Sequence, residues 1–282
     1  MKKNIFVLII LIFSAITGCE ETSTAIEYRK EVVVNGTLTA NQNIDTLRLH
    51  WTGQVDKFYD LDALAISNAT VIVRGVDVNF YDSLIYDASN PGRYYSTDAN
   101  KKIIPTKTYK LEVSVPGWAK QVTATTTVPD TFRITSATLN NGDTVKYDLF
   151  APVHEFYWSS SNNYATYLPT ITYLDSNAAM IPKAFYSDTT SKDFRKPEII
   201  GYRIGLPKEQ QNSDLPWVFL SYYGNIQFDV YAVDFNFSDY INQIIPAQGG
   251  ELKEIRFNVQ GGIGIFSART KASGGFKIYL KP

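Results

Sequence analysis

From Glu31 onward, apolar residues recur mostly in short runs with a two-residue rhythm. Tyr109-Lys110-Leu111-Glu112-Val113 and Val122-Thr123-Ala124-Thr125 alternate, and Val78-Asn79-Phe80-Tyr81 nearly does. Val32-Val33-Val34, Thr46–Trp51 and Ala69–Val73 are rich in β-branched side chains, which favour a pleated, half-buried surface. Turn signals stand among them at Asn35-Gly36, Asn90-Pro91-Gly92 and Pro116-Gly117. Many short strands punctuated in this way predict a sandwich of antiparallel sheets rather than a parallel α/β sheet. Val128-Pro129-Asp130 closes this set, because proline cannot continue a central strand. A second set opens with Phe132–Thr138. It continues through Phe156-Tyr157-Trp158 and Tyr164–Tyr173, then Phe228–Asp234 and Phe276–Leu280.

The expected fold is therefore all-β, in two β-sandwich domains over 31–129 and 130–282. The first is expected to be transthyretin-like or immunoglobulin-like. The second is expected to resemble a fibronectin type III domain, with a Trp on an early strand, then a Tyr-bearing strand, then a late strand ending Ala-Val-Asp. Residues 175–215 are polar and carry Pro182, Pro197 and Pro207, which predicts a long inserted loop or hairpin. One short helix is expected over 238–245, with Ser238 as its N-cap.

The head of the chain follows a different pattern. Lys2 and Lys3 precede an unbroken apolar run from Ile5 to Phe13, and small residues lead into Ile16-Thr17-Gly18-Cys19. The run is too short to span a bilayer and reads as a secretion signal over 1–18. Cys19, the only cysteine, stands after Gly18 where a lipobox requires it. The predicted modification is diacylglycerol on the thiol, cleavage before Cys19 and an acyl chain on the new amine, followed by a tether over 19–30. Two or more acyl chains anchor stably where one does not. Glu20 follows the cysteine, not the Asp that retains many lipoproteins in the inner membrane, so outer-membrane lipid is the expected partner. Glu20-Glu21 reads equally as a surface-export signal or as a solvated tether, which leaves both the periplasmic and the surface face open.

Composition narrows the function classes. Without Lys2 and Lys3 the body holds 25 basic against 28 acidic residues, too acidic for a nucleic-acid footprint. Aromatic residues make up 14%, with 19 Tyr and 16 Phe, as suits strands with wet aromatic edges.

Candidate chemistry is sparse, and no enzymatic activity or cofactor is expected. The single Cys is assigned to lipid, no Gly-x-Ser-x-Gly elbow occurs, and His50 and His154 read as packed or rim imidazoles. Two His cannot build a zinc site of the common spacings. Calcium has two weak candidate clusters, Asp56-Asp60-Asp62 and Asp234-Asn236-Asp239 with Ser238, each explained equally well as solvated loop carboxylates or a helix cap. No local pattern nominates a glycosidase carboxylate pair. Trp51, Trp118, Trp158 and Trp217 are candidates for stacking on a glycan, although Trp158 reads as core and Trp118 as a loop tip. Asp45-Thr46-Leu47, Asp82-Ser83-Leu84, Asp143-Thr144-Val145 and Asp188-Thr189-Thr190 match a bacterial O-glycosylation sequon.

Val259-Gln260-Gly261-Gly262-Ile263-Gly264-Ile265-Phe266 sets three glycines inside an apolar run, each costing a strand roughly 0.5–1 kcal/mol relative to Ala. Three readings stand. Gly261, Gly262, Ile263, Gly264 and Phe266 form an exposed partner-docking segment, or a Gly-rich turn before the final strand Phe276–Leu280, or a bulge or close backbone approach with Ile263 and Phe266 filling the second core.

The order of several pieces resembles a family of uncharacterised, domain-of-unknown-function outer-membrane lipoproteins of Gram-negative bacteria. The pieces are the Cys19 lipobox, Val33–Thr39, Asn68–Val73, Gly92-Arg93-Tyr94-Tyr95, Lys107–Val113, the Val128-Pro129 junction, Tyr231-Ala232-Val233-Asp234 through Asp239-Tyr240, and Asn258–Phe266. Ser267 departs from the Gly expected after that Phe. The family's genes often neighbour TonB-dependent receptors. The resemblance therefore implies a non-enzymatic partner of such a receptor in nutrient uptake or surface assembly. The rival expectation is a surface carbohydrate-binding or adhesion module.

Overall fold

The structure, a computed structural model, describes residues 28–54, 56–176, 178–181, 199–201, 206, 208–248 and 255–282. The expected signal segment over 1–18, Cys19, most of the expected tether and the Asp188-Thr189-Thr190 match lie outside them.

The first sandwich is built from β1 (Val32–Thr39), β2 (Leu47–Trp51), β3 (Thr70–Gly75), β4 (Tyr81–Tyr86), β5 (Arg93–Tyr95), β6 (Thr108–Ser114) and β7 (Val122–Thr127). Alternation drives each strand. In β6, Tyr109, Leu111 and Val113 are fully buried while Lys110 and Glu112 face outward. Asn35-Gly36 is not a turn but lies within β1, where Gly36 leaves room for Leu47 and Phe266. Pro116-Gly117 does turn: Trp118 N–H donates to Val115 O at 3.0 Å, and Gly117 takes a positive φ of 79°.

Two strands of this sandwich come from the far end of the chain. β15 (Val259–Gln260) pairs with β7, and β16 (Ile263–Lys271) runs parallel to β1 with Val33 opposite Ile263 and Thr39 opposite Arg269. The strand order is β16-β1-β2-β5-β4-β3-β6-β7-β15, turning over at β4, which pairs with both β5 and β3. Gly261-Gly262 carries the chain from one layer to the other at the opposite edge. Val259, Phe266 and Ala268 pack into the same core as Val34, Leu49, Val71 and Leu111. The boundary at 129/130 therefore needs correction: the first sandwich is completed only by residues after 258.

The second sandwich sets β12 (Ile199–Gly201), β11 (Thr166–Tyr173), β14 (Gly224–Val233), β17 (Phe276–Lys281) and β9 (Asp143–Lys146) against a three-stranded sheet. That sheet is β13 (Asn212–Leu215), β10 (His154–Trp158) and β8 (Ile134–Ala137). Phe156, Trp158, Tyr167, Phe228, Phe276 and Ile278 fill the space between. The segment expected as one long loop supplies an edge strand to each layer, β12 beside β11 and β13 beside β10. β16 belongs to both units, since Arg269, Thr270 and Lys271 also pair with Val233, Ala232 and Tyr231 of β14. The all-β, two-sandwich architecture is as expected. Among the described residues no helix is long and apolar enough to cross a membrane.

Candidate functional site

Between β14 and β15 runs the helix α1 (Phe235–Gln248), which starts three residues before the expected Ser238 cap. Asp234 is the cap. Its Oδ1 accepts the Phe237 N–H at 3.0 Å, and its backbone carbonyl accepts the Ser238 N–H at 3.2 Å. Its other carboxylate oxygen accepts the Thr126 hydroxyl from β7. Asn236 Nδ2 donates to Thr125 O at 2.9 Å and Phe266 O at 3.2 Å, and Asn258 Nδ2 to Phe266 O at 2.6 Å. Thr270 Oγ1 donates to Pro129 O at 2.6 Å. Together these bonds clamp the joint between the two sandwiches. Asp234 is 3% exposed, and burial pushes its carboxyl up to about 6, although the Thr126 and Phe237 hydrogen bonds pull the other way.

This arrangement changes the reading of the calcium candidates. Asp234 is held by protein donors, Asn236 donates to carbonyls, and Asp239 pairs with Arg256 at 3.0 Å. Among the described residues no group of three or more His, Cys, Asp or Glu could hold a metal ion. In the other cluster, Asp60 Oδ1 accepts the backbone N–H groups of Asp62 and Ala63, which makes it a turn cap.

The glycine segment is buried from Gly264 onward, while Gly261, Gly262 and Ile263 are half-buried. Phe266 is fully buried and Ile265 nearly so, and β16 lies between β1 and β14. Gly264 has φ of 106°, and a Cβ there would overlap the Val34 carbonyl oxygen. A Cβ on Gly262 would sit 2.6 Å from Val32 O. Gly262 and Gly264 are therefore places of close backbone approach, Phe266 is corrected from a docking residue to a core residue, and the core it fills is the first, not the second. Ser267, where Gly was expected, is fully buried and shares a 2.9 Å hydrogen bond with the Thr37 hydroxyl across the parallel pair.

The aromatic candidates for a glycan divide. Trp158 and Trp217 are core residues, and the Trp217 indole donates to Ala151 O and Pro152 O at 3.1 and 3.2 Å. Trp51 and Trp118 are half-buried, edge to face at 5.5 Å. His50 is buried, and burial with the nearby Arg48 charge lowers its pKa. His154, edge-on to Trp217 at 5.2 Å, is lowered by burial too. Of the sequon residues, Ser83 and Thr144 are exposed, while Thr46 is half-buried.

Thr46 lines a polar hollow of about 340 Å³ on the outer face of the β16-β1-β2 layer, with Asn35, Thr37, Gln42, Asn43, Asp45, Arg48 and Arg269 among its walls. Arg269 Nε donates to Thr39 Oγ1 at 3.1 Å, and its guanidinium lies 4.5 Å from the Tyr231 ring centre. Arg48 donates to Pro91 O at 3.3 Å. Among the described residues neither guanidinium meets a carboxylate, whereas the neighbouring Arg93 is tied to Asp45 at 2.8 Å and Asp87 at 2.7 Å. Two unneutralised forks among amides and hydroxyls can hold a polar, hydrogen-bonding ligand. Single-sequence reasoning missed this hollow, because its two arginines stand 221 positions apart and meet only through the β1–β16 pairing.

The family model described as "Domain of unknown function (DUF4249)" matches residues 20–274. The chain belongs to that family. No curated protein matches it. Among solved structures it is similar to the two fibronectin type-III domain segment from chicken tenascin, at 11% identity over 73% of this chain and 92% of that one, TM-score 0.20. It is also similar to the chicken CNTN1 FN1-FN3 domains, at 10% identity over 89% of this chain and 66% of that one, TM-score 0.17. Neither likeness reaches the level at which two chains share a superposable frame.

Proposed function

We propose that the protein is an outer-membrane lipoprotein, anchored through Cys19, that serves as a non-enzymatic partner of a TonB-dependent receptor in nutrient uptake or surface assembly. The observation that carries the reading is the Lys2-Lys3, Ile5–Phe13, Gly18-Cys19 head set nine residues before Tyr28, where the described body begins. A resemblance whose members neighbour receptor genes supports the partner. Lipidated protein extracted from outer membranes should carry a TonB-dependent receptor with it through affinity purification; a receptor-free eluate under mild detergent sinks the partnership. Changing Cys19→Ala should move the chain from the membrane to the soluble fraction, and retention in the membrane sinks the anchor.

The polar hollow favours a second reading, a surface glycan-binding module. On that reading Arg48→Gln or Arg269→Gln abolishes oligosaccharide binding measured by calorimetry while the melting transition holds. Equal binding by both variants excludes the hollow.

A further inference from the structure

At one end of the first sandwich, the end where the described chain begins, aromatic and cationic side chains collect. Tyr28 Oη donates to Thr52 O at 2.6 Å, and Thr52 N–H donates to Glu31 O at 3.0 Å, so the start of the chain is fastened beside the end of β2. Lys30 Nζ sits 4.1 Å from the ring centre of Trp51, which meets Trp118, and Lys120 lies 6.0 Å from Trp118. The loop after β2 then projects Phe58, 95% exposed, with Tyr59 at 60% and Leu61 at 48%. Nothing in the first core needs these three residues to point outward, and a lone Phe held almost wholly in water forfeits the ~2 kcal/mol its burial would supply.

Trp and Tyr beside Lys make up the belt that proteins set at a bilayer–water interface, with rings at the headgroup level and ammonium groups reaching water. We infer that this end of the first sandwich rests on outer-membrane lipid, with Phe58, Tyr59 and Leu61 inserted and Trp51 and Trp118 at the headgroups. The inference rests on the Cys19 anchor proposed above. Nine residue steps separate Cys19 from Tyr28, and a fully extended chain covers at most about 32 Å in that span, so a lipidated Cys19 holds this end within reach of the bilayer. Contact is apolar rather than electrostatic, because Asp56, Asp60 and Asp62 offset Lys57 in the same loop.

Strand direction then sets the pose of the whole molecule. β1 and β16 run parallel, away from this end, and β16 leads into the second sandwich. β17 runs antiparallel to β14, and β9 runs parallel to β17, so Phe150, just after β9 and 93% exposed, lies at the opposite end. The hollow opens toward the Thr39 end of β1, away from the lipid.

The test places the lipidated chain in vesicles of uncharged phosphatidylcholine, with a nitroxide on Phe58→Cys or on Phe150→Cys. Cys19 is the only native cysteine, and its thiol is consumed by the anchor. Both labelled positions are exposed, so neither substitution disturbs a core. The ratio of oxygen to nickel-chelate accessibility is expected to be severalfold higher at 58 than at 150. Equal, water-like ratios at the two positions in a vesicle-bound protein overturn the seating and leave the anchor standing. A mature chain whose mass shows no acyl groups, and which stays free of vesicles, overturns both.

Discussion

At the scale of single residues, Asp234 combines a helix cap, a hydrogen bond across the joint and nearly complete burial. Its carboxyl titrates near 6 in the folded protein against 3.8 for the unperturbed group. The folded state therefore binds the proton more tightly than the unfolded one. The associated stability is fully present below about pH 4 and is lost as pH rises through 6, by a contribution on the order of 2–3 kcal/mol. Asp234→Asn keeps the cap and removes the charge. Its unfolding free energy, measured in urea from pH 4 to 8, should lack the wild-type decline across 4 to 6; an unchanged decline assigns the proton elsewhere. The sequence nominates Ser238 as the cap. That Asp234 rather than Ser238 holds the first turn depends on Thr126, 108 positions away, which fixes the carboxylate from the other side.

At the scale of the element, β16 decides most. Gly262 just before it and Gly264 within it are costly for an isolated strand and necessary for this one, because the carbonyl oxygens of Val32 and Val34 in β1 occupy the places their Cβ atoms would take. Gly264→Ala forces a side chain into a positive-φ position as well as into the Val34 carbonyl, and should cost at least about 3 kcal/mol. Phe266→Ser empties a fully buried ring site and should cost roughly 3–5 kcal/mol. Both losses are read as lowered melting transitions. A Phe266→Ser protein that melts like wild type contradicts the burial described for it.

At the scale of the molecule, a strand shared by two sandwiches couples them. A fragment of 31–129 contains β1 to β7 but lacks β15 and β16, which leaves β1 and β7 unpaired on one side and removes Val259, Phe266 and Ala268 from the core. That fragment should stay unfolded or aggregate when expressed alone, as judged by circular dichroism and amide dispersion. A monomeric, dispersed spectrum means that the first sandwich does not need β16. The intact body should melt in one transition, since the loss of β16 opens the first core and strips β14 of a pairing partner in the second sandwich.

The alternation of β6 and β7, the β-branched run of β3 and the Pro116-Gly117 turn were legible residue by residue, because strand faces and turns are set by neighbours a few positions apart. The sequence by itself therefore determined an all-β body of many short strands. The tertiary structure alone decided that Asn35-Gly36 is strand, that Val33 meets Ile263, and that Arg48 and Arg269 share one hollow. The physical reason is that a parallel pairing across 230 positions leaves no local periodicity of its own. It is selected by the Phe266 and Ala268 side chains that fill the first core and by the missing Cβ atoms that let two backbones approach, and those terms exist only once the chain has closed on itself.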